Sequence, residues 1–533
     1  MTAQEAADES PPPKKGFTFW MIFLSICLAM FLSALEFSGI ATALPTIIDE
    51  LHGDEFVWVG AAYALASTAF LPLSGGLAEI FGRRLAMLFA LGCFIIGSAL
   101  CGAAQSMSWL VAARTIQGLG GGAIQSISSI IVSDLVSLRE RGVYNGLIGL
   151  TWAVASAIGP AVGGGLAAHG QWRWFFYLNL PMCGVTVIMV TVFLKLPVPP
   201  GTLRSKIGRM DWIGNILVIS STTAVVIALT WGGVQYPWKS AHVLIPLVAG
   251  LCGLAGFFAY EASYARHPIV PVSLLQNRTS VSGYIQTFIC QVVSLAVTYY
   301  IPTYFQSCKD ASPIRSAVDM LGLSASIGPI VVAAGVSVSV LKVYRPQLWI
   351  AWSIWMIGMG FFSRVGADSS MAQAIGWPIL MGAGAGILFA VTYFPVLSPL
   401  PVSQNAPALA FFAFCRSFAG VWGISIGASV LQNELSHRLP SEFLSQFGSA
   451  ADLSYAAIPA IRSLPPGLKD DVRRAFGESI AVIWKVMVGV LGIGFLSSLL
   501  MQDVPLHEQV DKKWGIEQRQ SDITGGEMDV FKR

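Results

Sequence analysis

Charge is what this chain has least of. Only 11% of its 533 residues are Asp, Glu, Lys or Arg, against about 25% in a soluble domain. Hydrophobic residues make up 54%, and the mean hydropathy is +0.66. That shortage excludes an ordinary soluble domain and points to an integral membrane protein. A net charge of +3 supplies no basic field for nucleic acid, and no nucleic-acid-binding motif is present. Paired cysteines are missing too. The eight cysteines are scattered singly with no C-x-x-C, so they read as small hydrophobes rather than disulfides or metal ligands. Nucleotide-binding loops, metal-ligating clusters and nucleophiles paired with a base are also lacking, so no cofactor, no metal and no enzyme activity are expected.

Long apolar runs are abundant instead. A helix needs about 20 such residues to cross the hydrocarbon. Fourteen runs qualify, near 18–44, 56–78, 85–104, 108–133, 143–168, 174–195, 212–232, 241–260, 280–303, 315–340, 347–364, 373–398, 406–431 and 478–501. The polar, proline-rich stretch 1–17 precedes a first run too long for a signal-peptide core and without a small-residue cleavage site, so that run is expected to be retained. Lys and Arg concentrate in the amino tail, the even-numbered loops and the carboxyl tail, which puts both ends in the cytosol by the positive-inside rule. The connection near 432–477 opposes the trend with five basic residues, but long translocated segments largely escape the rule. The sequon Asn277-Arg278-Thr279 falls on the cytosolic side and is expected to stay unmodified.

Amid so little charge, an ionisable residue inside a run is informative. Glu36 lies about eight residues from the outer end of the first run, roughly 12 Å at the helical rise, and Arg114 about six from the outer end of the fourth, roughly 9 Å. A charge at the bilayer centre costs roughly 2.5–3.5 kcal/mol, so such residues normally pair and mark ion or proton pathways. Glu36 with Arg114 is the candidate for proton coupling; a static ion pair, or a cavity-facing glutamate that never titrates, is the alternative. Arg416 lies about ten residues into the thirteenth run with no acid at a matching depth. Either backbone carbonyls satisfy it, or it lines a water-filled cavity and meets an anionic or carbonyl-bearing substrate group. Tyr63, Gln117, Gln125, Trp152, Gln286, Gln291 and Tyr393 are the other candidates for a substrate cavity, suited to an amphipathic organic ligand.

Several stretches carry a family pattern. Residues 75–84 read GGLAEIFGRR, residues 114–122 read RTIQGLGGG, and residues 146–165 read GLIGLTWAVASAIGPAVGGG. Residues 172–181 read WRWFFYLNLP, and YYIPTYFQ at 299–306 is followed by SPIRS at 312–316. Together they resemble the fourteen-span drug:proton antiporter branch of the major facilitator superfamily, particularly its fungal members. The resemblance implies an all-α membrane fold with two six-helix bundles, at 18–195 and 279–502, joined by a linker with two inserted helices at 196–278, and cytosolic tails at 1–17 and 503–533. It implies a cytosolic latch from Gly75, Glu79, Gly82, Arg83 and Arg84, with Arg83 beside Asp134 and Glu79 beside Gln404 and Asn405. Glu79 stands where the family usually has Asp, and Ile80 where it usually has Arg. Gly159, Pro160, Gly163 and Gly164 match the antiporter motif, a packed pivot typical of exporters, with Ala155 in place of its middle glycine.

The function this implies is proton-coupled export of drugs, toxins or secondary metabolites by alternating access. The alternatives are an importer or vacuolar carrier of the same fold, taking a siderophore or a basic amino acid, and a non-transporting nutrient receptor. The expected partners are a small-molecule substrate, protons and the lipid bilayer, without nucleic acid. A monomer in the plasma membrane is expected, with the vacuolar membrane as the other location. One proton falling through 100 mV yields about 2.3 kcal/mol, and two pH units add about 2.7. The sum supports a concentration ratio of several thousand without ATP.

Overall fold

The computed structural model describes residues 15–51, 57–138, 140–198, 200–233, 235–444 and 458–506. The amino tail 1–14, Arg139, residues 445–457 of the long connection and the carboxyl tail from 507 lie outside the described residues. Those described form helices and no named strand. The long ones are α1 (Phe17–Leu51), α2 (Val57–Phe81), α3 (Arg83–Gly102), α4 (Met107–Leu135), α5 (Arg141–Ala168), α6 (Asn179–Phe193) and α7 (Trp212–Trp231). They continue with α8 (Ala241–Ser263), α9 (Arg278–Cys308), α10 (Leu321–Leu341), α11 (Arg345–Phe362), α12 (Met371–Val391), α13 (Asn405–Arg438) and α14 (Pro466–Leu499).

By length and apolarity, 12 helical segments could cross a membrane among the described residues. The expected fourteen spans are thus not all met by this criterion. Helix α4 carries Arg114, Gln117, Gln125 and several serines, while α11 has 18 residues and opens on Arg345, Pro346 and Gln347. Both still form as helices where the apolar pattern places them. Polar side chains start several of the helices: Ser106 accepts from Trp109 N at 3.3 Å, Asp211 from Gly214 N at 2.9 Å and Asn277 from Thr279 N at 2.8 Å. Each satisfies a backbone donor that the first helical turn leaves without a partner.

The connection expected near 432–477 is shorter, because α13 continues to Arg438 and α14 begins at Pro466. Charge pairing explains the extension. Arg438 bonds Glu434 one turn below at 2.8 Å and Glu478 of α14 at 2.6 Å. Lys469 pairs with Asp310 at 2.7 Å, and Arg473 donates to the Cys308 carbonyl at 2.8 Å. Basic residues that opposed the positive-inside trend are therefore held by partners on their own side.

Contacts group the helices into two bundles. In the first, α1 packs on α5, α2 and α3 on α4, and α6 on α1 and α3. In the second, α9 packs on α13 and α14, and α12 on α10 and α11. The pair α7 and α8 pack on each other, and α7 also touches α2 and α13. The bundles meet mainly where α5 crosses α10 and where α13 crosses α2 and α4. A Cβ on Gly142 would meet the Gly335 carbonyl oxygen at 2.6 Å, and one on Gly75 would meet Ala410 Cβ at 2.5 Å. All four residues belong to the helix ends that the charge bias assigns to the cytosol. Further along α5, Val154, Ala157, Ile158 and Ala161 are exposed. The glycine contacts show the bundles tightly apposed at the cytosolic end.

Candidate proton-coupling and substrate sites

Glu36 of α1 and Arg114 of α4 meet. Arg114 Nη1 donates to Glu36 Oε1 at 2.6 Å, and the two side chains are 0–1% exposed. The pair is part of a larger network. Asn179 Nδ2 of α6 donates to Glu36 Oε2 at 2.7 Å, Arg114 Nη1 also reaches Gln117 Oε1 at 2.7 Å, and Arg114 Nε donates to the Val59 carbonyl at 3.0 Å. Gln117 Nε2 in turn donates to Ser98 Oγ at 2.9 Å. The Tyr63 ring lies 4.5 Å from the guanidinium carbon, and its hydroxyl shares a 3.1 Å hydrogen bond with Ser33. With both Glu36 oxygens accepting, the ionised carboxylate fits this conformer.

Glycines let these helices come close enough to build the network. A Cβ on Gly118 would meet Tyr63 Cα at 2.9 Å, and one on Gly97 would strike the Gln117 backbone. The antiporter-motif face of α5 packs on α1 next to Glu36. A Cβ on Gly159 would meet the Leu35 carbonyl oxygen at 2.9 Å, one on Gly163 would meet Thr42 Oγ1 at 3.0 Å, and one on Gly164 lies 3.5 Å from Thr42 Cβ. Thr42 Oγ1 donates to the Pro160 carbonyl at 3.1 Å, tying α1 to α5.

At the cytosolic end, half of the expected latch forms. Arg83 Nε donates to Asp134 Oδ2 at 2.8 Å and its Nη1 to the Ala78 carbonyl at 2.9 Å, with both side chains buried. Gly82 turns the chain between α2 and α3 at φ 91°, where other residues are strained. Glu79, however, is exposed and has no hydrogen bond or ion pair among the described residues. Gln404 accepts from Ser273 instead, at 3.2 Å, and Asn405 is buried with both amide atoms unpartnered. Arg84 is half-buried.

The expected cavity residues divide. Tyr63 and Gln117 belong to the charged network. Gln286 is buried inside the second bundle, receiving Trp352 Nε1 at 3.0 Å and donating to Ser282 Oγ at 3.0 Å, so it does not reach the others. Tyr393 is buried at the cytosolic end against Phe394, within electrostatic reach of Arg141 across the bundles. Four remain half-exposed: Gln125, Trp152, Gln291 and Arg416. Trp152 lies 6.5 Å from the exposed ring of Phe37. Arg416 donates to Gln291 Oε1 at 3.2 Å and lies 4.5 Å from the Phe389 ring centroid. Beside it, Thr68 and Ser417 share a 2.6 Å hydrogen bond between the bundles.

Sequence reasoning missed Asn179, which lies within the aromatic WRWFFYLNLP stretch read only as a family motif and an interfacial belt. It also missed Arg141, whose Nε and Nη2 cap the end of α4 at the Val136 and Ser133 carbonyls, 2.9 and 2.6 Å away. Glu50 was overlooked as well; it binds Trp172 Nε1 and Arg173 Nη1, each at 2.5 Å.

The family model described as Major Facilitator Superfamily matches residues 26–424. The chain belongs to the major facilitator superfamily. As a member of that superfamily it is a multi-pass membrane transporter rather than an enzyme. Efflux pump FUS6 of Gibberella fujikuroi is 39% identical over 523 residues, covering 96% of this chain and 94% of the relative. MFS-type efflux pump MMF1 of Pseudozyma antarctica is 36% identical over 518 residues, covering 96% and 95%. Among solved structures, the human organic anion transporter MFSD10 superposes with a TM-score of 0.59 at 13% identity, covering 92% of this chain and 100% of that one. The proton:xylose symporter XylE does so with a TM-score of 0.56 at 15% identity, covering 92% and 98%. These two share the fold.

Proposed function

We propose that this protein is a proton-coupled exporter of small amphipathic organic compounds, working by alternating access, with Glu36 as the group that takes up and releases the proton. The observation that carries this is the enclosed Glu36–Arg114–Asn179 network. In the bundle arrangement described, Glu36 accepts two charge-assisted hydrogen bonds. Both bonds favour the ionised carboxylate, so loosening either of them favours uptake of a proton. Asn179 suits both states. Its Nδ2 serves the carboxylate, while its Oδ1 is buried without a partner, so turning the amide over presents an acceptor to a carboxylic acid. Movement of α1 against α4 within the first bundle, coupled to the rocking of the bundles, would loosen the pair and admit the proton.

Export as the direction follows from the relatives, two of which are named efflux pumps, and from one named an acurin A biosynthesis cluster transporter, 36% identical. That last name favours a secondary metabolite as cargo. We assign the bundles to 18–195 and 279–502, take all fourteen long helices as spans, and place a monomer in the plasma membrane. Arg83–Asp134 and the Gly142–Gly335 and Gly75–Ala410 contacts act as the cytosolic closure. The test is cargo efflux from cells that accumulate it: deletion of the gene should raise intracellular levels. A cargo whose distribution ignores both the gene and the pH gradient would overturn the reading.

A further inference from the structure

Arg416 lies well inside α13, between Phe414-Cys415 and Ser417-Phe418-Ala419-Gly420. Of its five N–H donors only Nε has a hydrogen-bond partner among the described residues, the Gln291 amide oxygen at 3.2 Å. Among the described residues no carboxylate pairs with it and no backbone carbonyl accepts from it. Its guanidinium stands over Phe389 at 4.5 Å. Helices α9, α12 and α13, which supply these three residues, are among the most enclosed in the molecule. The next residue, Ser417, bonds Thr68 of the first bundle, so Arg416, Gln291 and Phe389, all partly exposed, lie beside the seam between the bundles.

A cation in such surroundings is costly without a counter-charge. The protein supplies none, in contrast to Arg114, and the two terminal nitrogens left over form the planar fork that matches a carboxylate. Phe389, with its ring centroid 4.5 Å from the guanidinium, offers a flat apolar surface beside it.

We propose that the cargo is an organic anion, with a flat apolar body and one carboxylate or comparably acidic oxygen that docks on the terminal nitrogens of Arg416. This rests on the transporter reading above for the use of the site and is independent of proton coupling. The probe is 1-pyrenebutyrate, with its primary amide as the uncharged match, titrated onto the purified full-length protein by fluorescence anisotropy with no gradient present. The acid should bind about tenfold more tightly than the amide, the scale of one charge-assisted hydrogen bond. Arg416→Gln should remove the acid's tenfold advantage over the amide, while Arg416→Lys should keep part of the preference and guard against a merely misfolded variant. Equal binding of acid and amide, preference for the amide, no binding of the acid, or a preference that survives Arg416→Gln would each overturn the proposal. Since nothing here depends on a gradient, failure of proton coupling would appear only in flux measurements.

Discussion

Arg114 and Arg416 are both arginines set deep in helices of a membrane protein, one in each bundle, and their surroundings differ at every point. Arg114 is 1% exposed, paired with Glu36 at 2.6 Å and held by a backbone carbonyl and an amide besides. Arg416 is half-buried and has one neutral partner and no acid among the described residues. A pair that is complete within the protein can exchange only something small, such as a proton, and only when the helices shift. An arginine left incomplete can bind something brought from outside. On the proposed function and the inference above, the first bundle would carry the chemistry of coupling and the second that of recognition, although both bundles are built from the same apolar helices.

Substitutions can break or sharpen this contrast. The largest effect is expected for Glu36→Leu, which strands a buried guanidinium and should cost about 3–5 kcal/mol in a denaturation experiment, most of it recovered in the Glu36→Leu/Arg114→Met double variant. A wild-type melting curve for the single variant would remove the distinction between the two arginines. Asn179→Ala deletes one hydrogen bond to a charged group and should lower stability by about 1.5–3 kcal/mol. Arg416→Gln leaves no acid unpaired, so only its bond to Gln291 and its place over Phe389 are lost, about 1 kcal/mol together. A loss as large as that of Glu36→Leu would mean Arg416 has a hidden counter-charge. Thr68→Val, removing the hydroxyl pair between the bundles, should cost about 0.5 kcal/mol, read as a small shift in thermal midpoint.

Much of this was legible in the chain itself. Apolar run length located every long helix, because the bilayer requires that length whatever the helices touch. Equal depth from the outer surface brought Glu36 to Arg114, and the family pattern brought Arg83 to Asp134. What stayed hidden depends on rotation about helix axes. Nothing in the sequence around Gln286 or Tyr393 tells whether a polar group faces the cavity, a neighbour within its own bundle or the cytosolic seal. Asn179 was obscured for a different reason: its aromatic neighbours look sufficient as an interfacial belt, and its partner lies 143 positions away. Glu79 followed the family pattern in sequence yet turns outward, since one carboxylate near a helix start is held by a modest dipole effect at best. The helical ends at Arg438 and Pro466 are held by polar partners, Glu478 for Arg438 and Asp310 for Lys469, which apolar run length does not register.

The central claim is that the proton travels on Glu36. Its most direct test is flux of a transported compound in proteoliposomes with an imposed pH gradient, comparing wild type with Glu36→Gln, which keeps the shape and the hydrogen-bonding oxygen but not the charge. The account predicts that wild-type accumulation collapses when an uncoupler removes the gradient, and that Glu36→Gln moves cargo only to equal concentrations on both sides with or without it. Gradient-driven accumulation by Glu36→Gln at the wild-type level would contradict it.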